Sequence, residues 1–508
     1  MIKTLRQAVF LRLTLFLMFG IIIQTQLDFY PYWIYCAVIS LPVLFLTHFL
    51  KRIVTYRLRW LFGTGLFLLC SSFGGILSHA KLKQSEWTEE DEFRSYRVQL
   101  IDEPVKKPKT WMCKVKTGDK ITLIYIPVDS VSSTLTPSDW LIIKARFEKT
   151  DQINYLKKGI GARAFVAKNN WRKIESPSKQ GFNLRFYSLN YRRILLNQLK
   201  EILPDEKSYA VAAAISLGYS HEIDQETRQT FAATGTAHIL AVSGLHFAII
   251  YSILNFPFSF LGNKRRERII RQLIILPLLW MFAFLTGMPP SVTRAAVMIT
   301  VWGIGNAFSF RALTINTLGS AAFFMLLYNP YNLFDIGFQL SFSAVLAILL
   351  VNPYLTSLYR SRNPMINYIW ELSCTSTSAQ LGTVPFSLYY FHLFPLLFLV
   401  SNIFVIPLMG ILLMLIPFSL LISFIFGNQP ELLFPLQKLL QFLFKVLSAL
   451  SEIPNGAIKD IQLTVRDAVI MELGIIFSFL LLIKKRMIYL CLLIILVVFQ
   501  VIYYLCSF

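Results

Sequence analysis

The sequence predicts a polytopic α-helical membrane protein with an inserted extracytoplasmic all-β domain. Three observations carry this. Apolar runs recur along 508 residues that are 55% hydrophobic, with mean hydropathy +0.56, and each ~30 Å hydrocarbon crossing needs roughly 20 such residues. From 81 to 180 the runs stop and apolar residues alternate with polar ones. Connections rich in Lys and Arg then alternate with connections that have neither.

The first membrane block, 1–80, holds spans at about 8–27, 31–50 and 60–79. Ala8 to Leu27 lacks a small-x-small cleavage site and a second span follows at once, so it reads as a span rather than a signal peptide. The second block, 235–508, holds spans at about 236–256, 270–287, 292–309, 312–328, 336–352, 366–390, 396–426, 433–451, 467–483 and 487–506. The stretch 396–426 is long for one crossing and contains Pro407 and Pro417. It is expected to be broken or re-entrant, which a membrane tolerates where protein or a cavity satisfies the freed backbone.

Lys51, Arg52, Arg57 and Arg59 follow the second span, Lys264, Arg265, Arg266, Arg268 and Arg271 the fourth, and Lys484, Lys485 and Arg486 precede the last. The connections 28–31, 288–291 and 329–335 carry no Lys or Arg. The positive-inside rule then sets the N-terminus inside and 81–180 outside the cytoplasm. The expected location is the bacterial inner membrane, crossed many times, with the lipid bilayer itself a partner.

In 81–180, period-2 alternation marks five strands. They are carried by Tyr96, Val98 and Leu100; Trp111, Cys113 and Val115; Ile121, Leu123 and Tyr125; Leu141, Ile143, Ala145 and Phe147; and Ala162, Ala164 and Val166. Thr117-Gly118-Asp119 supplies a turn. Five short strands suit a small closed barrel, with the OB-fold the first candidate. The segment has 20 Lys+Arg against 13 Asp+Glu, on the side where orientation rules do not favour cations. The net charge of the whole chain is +21. Positive-inside loops and a Lys bias account for much of it, and a polyanionic partner is the other source. The β-domain is either a spacer or a module that tracks single-stranded nucleic acid. Six scattered cysteines form no CxxC or zinc framework and read as apolar fillers.

Residues 181–234 read as amphipathic or interfacial helices. Leu184, Tyr187, Tyr191, Leu195 and Ile202 share one face, with Arg185, Arg192, Arg193 and Lys200 largely elsewhere. Such a helix lies on a membrane surface or packs against the barrel.

The second block carries the candidate site. Thr234-Gly-Thr-Ala-His238-Ile-Leu-Ala-Val-Ser243-Gly-Leu-His246 concentrates polar groups in an otherwise apolar stretch. Two histidines are more often satisfied by backbone than by metal, and no carboxylate or Cys in the segment completes a metal site. Ser243-Gly244 either admits another backbone or loosens the helix. Gly287-Met-Pro-Pro-Ser291-Val-Thr-Arg294 reads as a turn, an N-cap at Ser291 and a helix start. Arg294 either snorkels to headgroups or meets a phosphate. Asp335, Gln339 and Ser343 fall at i, i+4 and i+8 on one helical face, as helix–helix glue or facing water. Gln380, with Thr383 and Pro385, and Asn402, with Pro407, repeat the theme. On the expected topology His238, Arg294, Asp335, Gln380 and Asn402 share the outer half of the bilayer, where a hydrated vestibule is expected.

These motifs, Gly235-Thr-Ala-His238 through Ser243-Gly-Leu-His246, Pro290-Ser-Val-Thr-Arg294-Ala and Asp335-Ile-Gly-Phe-Gln339-Leu-Ser341-Phe, resemble those of the ComEC family of inner-membrane DNA-uptake channels. Gln380…Thr383-x-Pro385 and Asn402…Pro407 follow in the family's order, and Tyr155-Leu156-x-x-Gly159-Ile160 is similar to the end of its outer domain. The resemblance covers about residues 1 to 480. It implies passage of single-stranded DNA to the cytoplasm, driven by a separate cytosolic motor and handed to DNA-receiving proteins. Many members add a metallo-β-lactamase-like domain. This sequence ends at Phe508 in an apolar span and has no HxHxDH cluster and no GxxxxGK[ST] loop. A short form with no catalytic set, metal or cofactor is therefore expected, with any nuclease separate. Two other readings stay open. One is a transporter or flippase for another anion, a glycan or lipid precursor, resting on a broken 396–426 helix. The other is an envelope-complex scaffold. The sequence leaves the oligomeric state unknown.

Overall fold

The computed structural model describes residues 8–49, 59–87, 92–150, 155, 159–175, 183–258, 260, 262, 264–308, 314–454 and 456–506. Lys51, Arg52, Arg57 and Leu156 lie outside the described residues. Three helices come first: α1 (Val9–Leu27), α2 (Tyr30–Phe49) and α3 (Arg59–Ser85). Eight strands follow, then α4 (Leu184–Ile202), α5 (Glu206–Leu217), α6 (Gln225–Ala233) and α7 (Gly244–Asn255). The rest is α8 (Arg265–Leu285), α9 (Pro290–Ala307), α10 (Thr314–Tyr328), α11 (Ile336–Ser357), α12 (Pro364–Phe391), α13 (Phe398–Phe426), α14 (Pro430–Ser451), α15 (Val465–Lys484) and α16 (Met487–Cys506). Among the described residues α1, α2, α3, α8, α11, α13 and α14 are long and apolar enough to cross a membrane. The chain is a multi-pass membrane protein. It divides into two compact units, one of Met1–Asn197 with Leu254–Asp335 and one of Gln198–Ile253 with Ile336–Phe508.

In the first unit small residues let helices meet backbone to backbone. A methyl added at Gly20 would strike the Ser71 carbonyl, and one at Gly74 the Leu17 carbonyl. Ser71 Oγ donates to Phe16 O at 3.0 Å across the same seam. Within lipid, where helices gain little hydrophobic drive toward each other, such close packing and interhelical bonds hold them together. The same device seats α10 on α1: Thr14 Oγ1 donates to Gly319 O at 2.8 Å, and Asn316 Oδ1 accepts from Phe10 N–H at 2.8 Å.

The β-domain grows directly from α3. Its strands are β1 (Arg94–Leu100), β2 (Val105–Lys106), β3 (Thr110–Thr117), β4 (Lys120–Pro127), β5 (Trp140–Ala145), β6 (Glu148–Lys149), β7 (Ile160–Phe165) and β8 (Trp171–Ile174). They form one sheet in the order β6-β7-β4-β3-β1-β5-β8, with β2 on β3 and β4–β7 parallel. All five expected strands are present, and three short ones extend them. The core contains Val98, Leu100, Cys113, Val115, Ile124, Ile126, Leu141, Ile143 and Phe147. Trp87, just past α3, packs on Phe147 at 5.1 Å between ring centres, so the membrane helix is tied into the β-core. One strand is out of phase with expectation. Cys113 pairs opposite Ile124 and Val115 opposite Thr122, which puts Thr122, Ile124 and Ile126 inward and Ile121, Leu123 and Tyr125 on the other face. Register across the ladder decides this, because a one-residue shift exchanges the faces of a strand.

Two faces of α4 are apolar. Leu189, Leu196, Leu199 and Ile202 are buried, whereas Leu184, Tyr187, Tyr191 and Ile194 are exposed. Arg192, expected on the polar side, is buried too. It pairs with Glu103 at 2.9 Å and donates from Nη1 to Thr286 O at 2.9 Å. Gly287 (φ +82°) lies against it, and a methyl there would sit 2.9 Å from that Nη1.

In the second unit α5 corrects the interfacial reading of 181–234. Ser208 through Leu217 are all buried, as expected of a helix with no polar face. Asp205 and Asp224 cap α5 and α6, accepting from Ser208 N–H at 2.9 Å and Thr227 N–H at 2.6 Å. The expected break in 396–426 is also absent: α13 runs unbroken for 29 residues with Pro407 and Pro417 inside. Ser401, Val405, Leu408, Leu412, Ile416 and Leu420 are buried along it, and enclosure by protein lets an apolar helix keep its prolines. The transporter reading loses the broken helix on which it rested. A short ladder of β9 (Leu393–Pro395) and β10 (Ala457–Lys459), not expected from the sequence, joins the connections on either side of α13 and α14.

Two outcomes follow from this packing. Burial pushes the Cys113 thiol up to about 12, so it stays protonated at neutral pH. It should resist maleimide in the folded protein and label only on unfolding; rapid labelling under native conditions would contradict the buried strand. The Thr227 amide, bonded to the Asp224 carboxylate, holds that carboxyl below its usual range. A depressed folded pKa gives stability that is present above the unfolded value near ~3.9 and lost as pH falls through the folded one. Asp224→Ala should therefore destabilise α6 by about 1 kcal/mol at pH 7, with the gap from wild type closing below about pH 4, read by hydrogen exchange of α6 amides.

Candidate functional site

In the first unit the site is built on a turn. Gly287 (φ +82°) and Met288 (φ +58°) reverse the chain after α8. Pro289 then serves as N-cap and Pro290 opens α9. The helix thus starts one residue earlier than expected, with Ser291 inside it rather than capping it; a proline at the first helical position has no N–H to lose. Arg294 sits one turn in, its side chain 7% exposed. Its Nη1 meets Asp335 Oδ1 at 3.4 Å, long for a charge-assisted bond, which is typically ~2.7–2.9 Å. Its Nε is buried without a partner among the described residues. Arg294 is therefore no snorkelling side chain. It is a buried guanidinium near the positive end of a helix, where cations are disfavoured, with one loosely held carboxylate.

Asp335 ends a 3-10 turn and is extended, so it precedes α11 instead of riding on it. The expected line of three polar groups comes apart accordingly. Gln339 Oε1 accepts from Tyr390 Oη at 3.0 Å, and Ser343 Oγ donates to the Leu340 carbonyl. Gln339 is helix–helix glue between α11 and α12. Gly382 permits that contact, since a methyl there would lie 2.6 Å from Ser343 O.

The histidine motif in the second unit is no continuous span. Thr234 and Thr236 are buried and share a 2.9 Å hydroxyl contact around Gly235 (φ +78°). A methyl at Gly235 would sit 2.8 Å from Phe398 Cβ of α13. Ala237–Ile239 form one 3-10 turn, and α7 begins only at Gly244. His238 on the turn is exposed, and its ring reaches the Gly235 backbone. Gly244 has open space where a methyl would be. Among the described residues no other backbone approaches it.

His246, 1% exposed, folds back on the start of its own helix. Ser243 N–H donates to Nδ1 at 3.2 Å, and Ser243 Oγ lies 2.8 Å from the same atom. An amide can only donate, so Nδ1 accepts and the ring proton is on Nε2. That Nε2 is buried with no partner among the described residues. On α13 the side-chain oxygens of Ser401 and Asn402 are in the same condition. Gln380 is half-buried on α12.

The structure thus joins Arg294 with Asp335 and Ser243 with His246, ties Gln339 to Tyr390, and leaves His246 and Asn402 with open hydrogen-bonding atoms. Sequence reasoning missed Arg192, whose clamp on the 286–287 turn precedes Arg294; placed off the apolar face of its helix, it gave no signal. It also missed Ser401, a common residue in apolar helices. Among the described residues no three His, Cys, Asp or Glu side chains are grouped to hold a metal ion.

A family model described as "Competence protein" matches residues 215–485. Over 225 residues the chain is 31% identical to "ComE operon protein 3" of Bacillus subtilis (strain 168), covering 44% of this chain and 28% of that protein. It is 28% identical over 298 residues to an uncharacterized protein of Aquifex aeolicus (strain VF5), covering 57% and 65%. It is 25% identical over 207 residues to the uncharacterized protein YcaI of Escherichia coli (strain K12), covering 39% and 27%. The chain spans less than two thirds of each of these relatives. No solved structure matches it. The family match runs over more than half of the sequence and takes in every candidate residue from His238 to Asn402, and on that match the chain belongs to the Competence protein family, the ComEC family its motifs resemble.

Proposed function

We propose that the chain conducts single-stranded DNA across the inner membrane during natural transformation, from the outer face to the cytoplasm. The β-domain captures the strand, and polar groups of the competence motifs contact it: Arg294 and Asp335 in the first unit, and, separately, His238, Ser243, His246, Gln380 and Asn402 in the second. The strand-pairing order, with β4–β7 as the one parallel pair, supports an OB-type barrel built on β1, β3, β4, β5 and β7. Pulling is left to a separate cytosolic motor, and the strand passes to cytosolic DNA-receiving proteins. A separate nuclease removes the complement.

The observation that carries this reading is Arg294. A guanidinium beside a helix N-terminus with spare donors and one long carboxylate contact suits an incoming phosphate, which bonds to two N–H groups at once. His246 adds a neutral donor at Nε2. The scaffold reading gives no role to such incompletely bonded groups, each of which costs about 1–3 kcal/mol when left unsatisfied.

Arg294→Ala should lower transformation frequency at least tenfold while leaving protein abundance in the membrane unchanged, and Arg294→Lys, which keeps the charge but loses the fork, should restore it only in part. Normal transformation by Arg294→Ala would remove this residue from the path. At position 246 the geometry separates two amides. Gln carries an N–H near the Nε2 position, whereas Asn reaches only to Nδ1. His246→Gln should retain most uptake and His246→Asn should lose it. Equal loss in both, at equal abundance, would mean that the Nε2 donor is not what the site uses.

A further inference from the structure

The phase of β4 leaves an unusual surface. Tyr125 stands beside Phe165 across the parallel β4–β7 pair, and Leu123 beside Arg163. Lys114 lies opposite Leu123 and Lys116 opposite Ile121 on β3. These side chains lie on the face opposite the main core cluster, where Leu123 is itself covered at 5% exposure. Phe165 is 59% exposed. Its ring stacks on Tyr125 at 4.8 Å between centres and 17° between planes. A large aromatic side chain left in water on a strand forgoes about 1.5–3 kcal/mol of burial, and here one ring face is backed by Tyr125.

The cations around it are loosely engaged. Arg163 meets Glu148 at 3.5 Å, Lys114 meets Asp102 at 3.6 Å and Lys116 meets Asp119 at 3.9 Å. Exposed pairs of this kind contribute about 0–1 kcal/mol, so a phosphate exchanges for the carboxylate at little cost. The surrounding segment 81–180 carries 20 Lys+Arg against 13 Asp+Glu. A stacked aromatic pair with cations on the same face matches a polymer that alternates bases with phosphates.

We propose that Phe165, backed by Tyr125, is a base-stacking platform for single-stranded nucleic acid on the outer face of the β-domain, with Arg163, Lys114 and Lys116 along the backbone. This rests on the reading of the chain as a conductor of single-stranded DNA and names where the strand is first held. Stacking on an aromatic ring is indifferent to sequence, because every base has a π-face.

The test uses the purified full-length protein in neutral detergent, with a labelled dT15 and an abasic 15-mer of equal charge, read by fluorescence anisotropy at fixed salt. Wild type should prefer dT15. Phe165→Ala should weaken dT15 binding about fivefold or more and leave the abasic oligomer unchanged. Phe165→Trp should keep the preference for dT15, and Arg163→Ala should weaken both oligomers. Binding of both oligomers equally by wild type, or a Phe165→Ala variant whose dT15 affinity is unaltered, would overturn the platform while leaving DNA capture standing. Failure of the wild type to bind either oligomer at low salt would overturn the platform and the capture reading together.

Discussion

A polar group carried into apolar surroundings must find a partner, and the architecture of this chain is largely an answer to that requirement. Several polar atoms of the helices find partners on other elements. Thr14 bonds Gly319, Ser71 bonds Phe16, Gln339 takes Tyr390, and Arg192 takes Glu103 and Thr286. Among the described residues some buried groups keep open atoms: Arg294 has one long contact and an open Nε, His246 an open Nε2, and Ser401 and Asn402 open oxygens, as do others outside the candidate site such as Trp111, Trp140 and Trp370. Buried polar groups without partners are rare in native proteins.

The second organising feature is how close the backbones come. Gly20, Gly74, Gly319 and Gly382 each stand where another element's backbone takes the space of a side chain. Gly287 works differently: its positive φ makes the turn, and its missing side chain makes room for Arg192. A packing device and a site-building device thus share one residue. Arg192 fixes the turn, the turn sets the start of α9, and α9 aims Arg294.

The β-domain obeys a separate logic. Its core is largely apolar, and Trp87 ties it to α3. Its outer face carries the charge and the aromatic pair. The chemistry that would touch a nucleic acid is therefore on a rigid ladder, whose spacing of strands near ~4.8 Å fixes the distance between neighbouring side chains.

Apolar runs and alternation by themselves determined seven of the membrane helices and the five main strands, because periodicity and composition are local properties of the chain. Tertiary structure decided what depends on partners far away in sequence. The stretch Ile121-Thr-Leu-Ile-Tyr-Ile126 has apolar residues on both faces, so only its ladder with β3 could set the phase. Arg192, expected off the apolar face of its helix, is buried against Glu103 and Thr286. The span expected from 236 opens into a turn because Ser243 and His246 bond each other at the start of α7. Asp335 leaves the helix pattern for Arg294, 41 residues away. A sequence shows which polar groups are present, but whether each is satisfied is a property of the space around it, and that space is made by residues distant in the chain.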